Sequence, residues 1–147
     1  MFDDALTDRI ARFLIGIGIP VTPGAGFEAF LPGIAVREGG LIVDPARLRW
    51  PGDLLHDGGH VAVTEAAARP TLSAVGQDPA EEMAALAWSY AAAVHLGVPP
   101  RTLFHDGYKA GGEALATAFA DGHGPGVPML AWWGMTDAYP AMLRWLR

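Results

Sequence analysis

Apolar and polar positions along this chain follow two periods, and the switches between them mark its elements. Over residues 3–15, Leu6, Ile10, Phe13 and Leu14 recur at helical spacing. Asp3, Asp4, Asp8, Arg9 and Arg12 take the other positions, which predicts an amphipathic helix. Gly16, Gly18 and Pro20 end it. Residues 21–33 are punctuated by Pro23, Gly24, Gly26, Pro32 and Gly33 and read as loop. Ile34-Ala35-Val36 and Leu41-Ile42-Val43 are short β-type runs around Arg37-Glu38-Gly39-Gly40. That is a hairpin pattern, with glycines supplying the positive φ of the turn.

A second helix is expected from Asp53, as N-cap, to about Ala68, where Arg69-Pro70 stops it. Thr71 to Asp78 connects it to a third. There Asp78 caps, Pro79 takes the first position, and Glu81 and Glu82 lie in the first turn. This alanine-rich helix runs to Gly97, and Pro99-Pro100 ends it. Further on, Gly111–Ala120 reads as helix, and Tyr139–Arg147 as a C-terminal helix with Met142, Leu143 and Leu146 apolar. Pro128 to Met135 fits helix, strand and packed loop equally well. Trp132, Trp133, Trp145, Tyr108 and Tyr139 are expected in the core. The sum is one α+β domain over residues 1–147: a core over about 1–98 and a mostly helical C-terminal extension over about 101–147. A chain of 147 residues suffices for one core and is short for two.

Composition narrows the chemistry. The net charge is −6, and the ten cations, nine of them arginine, form no run, so nucleic acid is not an expected partner. Cysteine is absent, which excludes disulfides and thiolate ligands and leaves imidazole and carboxylate for any zinc. The acidic opening Met1-Phe2-Asp3-Asp4 is unlike a secretory signal, and the longest apolar run, Met83 to Val98, is shorter than a membrane span. A cytoplasmic protein with no membrane partner is the expectation. Gly16-x-Gly18 and Gly24-x-Gly26 lack the lysine and the full spacing of a phosphate loop.

The chemistry concentrates in Asp53-Leu54-Leu55-His56-Asp57-Gly58-Gly59-His60-Val61-Ala62-Val63. Histidines at i and i+4 project from one helix face, so His56 and His60 can aim both rings at one metal ion. A catalytic zinc usually takes three protein ligands and keeps an open position. The third is expected from Glu82, which shares a face with Ala85 and Trp88, with Glu81 as the alternative. A divalent metal lowers the pKa of water beside it, and Asp57 stands where a general base would take the proton. Gly58-Gly59 costs about 2 kcal/mol inside a helix unless a backbone or a substrate needs the room. Among the other histidines, His95 reads as packing, whereas His105 and His123 sit in loops. His105 is the stronger candidate for stabilising a tetrahedral intermediate.

These residues resemble the compact bacterial zincins, the minigluzincin-type metallopeptidases. Their order is a helix, a short hairpin, a helix with His-Glu-x-x-His and a helix with a glutamate ligand. The match runs over residues 3–15, 34–43, His56-Asp57-Gly58-Gly59-His60 and Glu81-Glu82. The resemblance implies zinc held by His56, His60 and Glu82, Asp57 as base, and hydrolysis of a peptide or amide bond. Aspartate replaces the family's glutamate at Asp57, a shorter reach that bears on catalysis more than on metal binding. Locally, Leu54-Leu55-His56-Asp57-Gly58-Gly59-His60 also resembles the HD-domain phosphohydrolases, although no histidine precedes His56 and those domains lack a hairpin. A third reading is a non-catalytic binding or regulatory module on the same scaffold. The extension has three open roles: covering the site, extending a pocket, or forming a homodimer contact.

Overall fold

The computed structural model describes residues 1–105 and 112–147. Its elements are α1 (Ala5–Gly16), β1 (Val21–Pro23), β2 (Ile34–Arg37), β3 (Gly40–Val43), α2 (Asp53–Val63), a 3-10 turn (Arg69–Thr71), α3 (Pro79–Leu96), α4 (Pro100–Leu103), α5 (Gly112–Ala120) and α6 (Val127–Trp132). This is an α+β architecture in which helices pack on a small mixed sheet. No helix among the described residues is long and apolar enough to cross a membrane.

The sheet grows from the expected hairpin. β2 and β3 pair antiparallel with Arg37 opposite Gly40. Between them Glu38 and Gly39 both take positive φ, 49° and 75°, the combination that lets a two-residue turn follow the strand twist. Gly39 has a second constraint, because a Cβ there would lie 2.4 Å from the Arg69 carbonyl oxygen. The residues read as loop conceal β1, which runs parallel to β3 with Val21 opposite Leu41. The order β1-β3-β2 leaves β2 as an edge strand.

α2 is the centre of the molecule: all of its residues except His56 are buried. It packs against α1, the sheet and α3, whose Ala84, Ala85, Ala87, Ala91, Ala92 and Ala93 are buried. Small side chains on α3 permit that close approach on several sides. At its ends α3 follows expectation: the Asp78 carboxylate accepts from the Ala80 N–H, and Gly97 closes the helix at φ 70°.

Other expectations also need correction. Asp53 is not an N-cap but the first residue of α2, and its side chain is buried. α2 stops at Val63 rather than near Ala68. The Arg69 side chain donates to the Val61 and Thr64 carbonyls, and Arg147 donates to those of Ala62 and Val63. Side chains and the chain terminus thus satisfy the orphan carbonyls that another helical turn would have used. The C-terminal residues form no helix. Leu143 and Arg144 both donate their N–H to the Met135 carbonyl, the Trp145 carbonyl accepts from Trp88 Nε1, and Leu143 is exposed. Of the tail aromatics, Trp145 packs on Phe13, Trp88 and His95, whereas Trp132 is exposed. Tyr108 lies outside the described residues.

The start of α1 yields a simple test. Asp4 accepts from the Thr7 hydroxyl and backbone N–H, and those bonds hold its carboxyl below the usual 3.8. A lowered pKa gives stability that is present above the unfolded value and lost as pH falls through the folded one. Asp4→Ala therefore costs about 1 kcal/mol in urea unfolding at pH 7, and less at pH 3.

Candidate metal centre

Two helices build this site. His56 and His60 lie one turn apart on α2, and Glu82 lies in the first turn of α3. The Glu82 carboxylate bridges the pair, with Oε1 2.9 Å from His56 Nε2 and Oε2 2.6 Å from His60 Nε2. One nitrogen from each imidazole and one carboxylate oxygen all lie within 4.8 Å of one another. Donors this close can hold one divalent ion, and three protein ligands are the usual number at a catalytic zinc. Two imidazoles and a carboxylate suit zinc and other divalent ions alike.

The electrostatics follow from that contact. The His56 and His60 hydrogen bonds hold the Glu82 carboxyl far below the usual carboxylate range, against the opposing effect of burial. Burial works against charging His56, but the Glu82 bond and the nearby Glu82, Asp57 and Asp53 carboxylates outweigh it, and the net shift is upward. Asp57 is only 4 % exposed, and no hydrogen bond among the described residues reaches its carboxylate. Burial pushes its pKa up to about 6, against the lowering pull of the two histidines. An acid in that state is a candidate for proton transfer.

The centre opens onto a cleft of about 600 Å³. One wall is the edge strand, with Ile34, Ala35 and Val36; the other is the stretch Ser73–Gln77. His56, Asp57 and Glu82 lie among the lining residues, and Phe30 stands fully exposed at its border. The second wall is pinned to the hairpin turn, where Gly39 N–H donates to the Leu72 carbonyl and Glu38 N–H to the Ser73 hydroxyl. Nothing local in the sequence marks Ser73–Gln77 as a wall, because only long-range pairing brings it to the hairpin.

Of the alternatives at the start of α3, Glu82 meets both imidazoles, while Glu81 points its Oε2 towards Gly76. His105 is not among the cleft residues: its Nε2 lies 2.7 Å from Asp53 Oδ1 and its ring stacks on Trp50 at 4.1 Å. The other Asp53 oxygen is buried with no hydrogen-bond partner among the described residues, and burial raises that carboxyl's pKa although His105 pulls it down. Sequence reasoning missed this pair, since Asp53 looked like a cap. His95, expected to be a packing residue, is exposed, although its ring lies against those of Phe13 and Trp145.

The paired glycines have a structural account. A Cβ on Gly59 would sit 2.8 Å from the Ala85 carbonyl oxygen, so this glycine sets the spacing of α2 and α3. One on Gly58 would meet only the Leu14 side chain, also at 2.8 Å. The close approach is therefore by protein, from α3 and α1, rather than by substrate. Gly59→Val is expected to cost about 1–3 kcal/mol through overpacking against backbone. Gly58→Ala is near neutral, because Leu14 can rotate and about 1 kcal/mol of helix propensity is gained. Chemical denaturation of both variants checks the contrast.

Comparison with protein families, with curated proteins and with solved structures found no match for this chain.

Proposed function

We propose that the protein is a zinc-dependent hydrolase of peptide or amide bonds, built on a zincin-like core. The observation that carries this reading is the convergence of His56, His60 and Glu82 beside the buried Asp57 at a cleft. The order of helix, hairpin, histidine helix and glutamate helix supports it as well. His56, His60 and Glu82 would hold the ion. Bound there, zinc supplies Lewis-acid polarisation and activates water.

The chain's own groups do the rest. Asp57 faces the cleft as a carboxylate with no competing hydrogen bond among the described residues, so its oxygens are available to accept a proton at near-neutral pH. The exposed side of β2 offers backbone N–H and C=O groups to an extended substrate, and its apolar side chains border the cleft. The phosphohydrolase reading fits less well. Asp57 is outside the converging group, and no lysine or arginine lines the cleft among the described residues to hold a phosphate.

Hydrolysis tests the reading. Over a broad peptide library, the protein is expected to cleave with zinc, to stop with chelator and to recover on zinc return. If neither the native chain nor Asp57→Glu cleaves any member at full zinc occupancy, the scaffold is a binding module and the enzyme claim falls.

A further inference from the structure

The charge and polarity of the cleft say more than that a peptide fits. Its carboxylates are Glu28 on the loop before β2, Asp57 on α2 and Glu82 on α3, and no lysine or arginine lines it among the described residues. Glu81 adds a fourth carboxylate close to Gly76, itself a wall residue. Leu31, Ile34 and Val36 make one apolar wall, and Val75 stands on the other. Asp57 is the decisive member. It is only 4 % exposed, opens on the cleft and receives no hydrogen bond among the described residues, so a donor on a ligand would meet it there.

We infer that the cleft selects an apolar peptide segment flanked by positive charge, and turns away segments flanked by carboxylates or phosphates. The inference rests on the peptide reading above and specifies the substrate for that site. Zinc, when bound, offsets the charge of Glu82 but leaves Glu28 and Glu81 uncompensated at the rim. Apolar walls take the central side chains by burial. The surrounding carboxylates favour lysine, arginine or a free amine beside them and repel anions, chiefly through specificity and encounter rate.

The test uses two labelled, end-blocked peptides with one core, Ala-Leu-Phe-Leu-Ala, flanked on both sides by lysine in one and by glutamate in the other. Dissociation constants are measured by fluorescence anisotropy on the full chain, with and without zinc. The lysine peptide is expected to bind at least about tenfold tighter, a preference that shrinks as salt rises. Glu28→Lys, on an exposed loop, is expected to narrow it severalfold while leaving zinc uptake unchanged. Equal binding, or preference for the glutamate peptide, overturns the inference and leaves the peptide reading standing. Binding of neither peptide by zinc-loaded protein overturns both. Failure to take up zinc sinks the metal reading alone, since the charge preference is read from the same titrations without zinc.

Discussion

Zinc at a thousandfold over its dissociation constant is expected to stabilise the wild-type protein by about 4 kcal/mol, and His60→Ala to abolish that gain. The size follows from mass action: an ion that binds the folded chain and not the unfolded one adds its saturation free energy to folding. His60 is 3 % exposed at its side chain and 2.6 Å from Glu82, so its loss leaves two ligands and an unfilled site. Hydrolysis falls with it. Removing a buried ring also disturbs packing, and for that reason Glu82→Gln is the companion variant. Glu82 is 38 % exposed at its side chain and glutamine keeps its shape, so this substitution opens no cavity. Glu82→Gln should remain folded without zinc while losing the zinc response. A full zinc response in both variants would place the ion elsewhere.

Asp57→Asn is expected to lower hydrolysis by about 100- to 10,000-fold, the usual contribution of a general base, with zinc still bound. The same substitution should make the zinc-free protein more stable at pH 7. Asp57 is a buried carboxylate without a hydrogen bond among the described residues, and an amide in its place carries no charge to desolvate. A gain of about 1 kcal/mol appears as a rise of roughly 2–4 °C in melting temperature. Opposite signs in stability and rate are what a group held for chemistry rather than for folding produces. Thermal melts and peptide cleavage on one preparation measure both. A destabilised Asp57→Asn would mean that the aspartate has a structural role instead.

The parts of this site that the sequence makes legible are those fixed locally. The spacing of His56 and His60, the caps at Asp78 and Gly97, and the glycine-rich hairpin turn each depend on a few adjacent residues. Glu82 was separable from Glu81 because Ala85 and Trp88 mark the face of α3 that turns inward, and a Cβ on Gly59 would meet both residues. What stayed hidden is long-range. β1 is three residues that follow Pro20 and end on Pro23, and its pairing is extended by the Leu41 N–H to the Pro20 carbonyl and the Gly24 N–H to the Val43 carbonyl. The early end of α2 depends on Arg69 and Arg147, the latter more than eighty positions away. Asp53 has the residue type of a cap, but burial against His105 decides its place. The expected C-terminal helix gave way because its backbone finds partners on Met135, Ala62 and Trp88.

One zinc ion held at one place is the central expectation, and calorimetric titration of the metal-free protein with zinc tests it directly. The expected result is one zinc per chain for the native sequence and none for His60→Ala or Glu82→Gln. Uptake that is absent in the native protein, or unaltered in both variants, would contradict it.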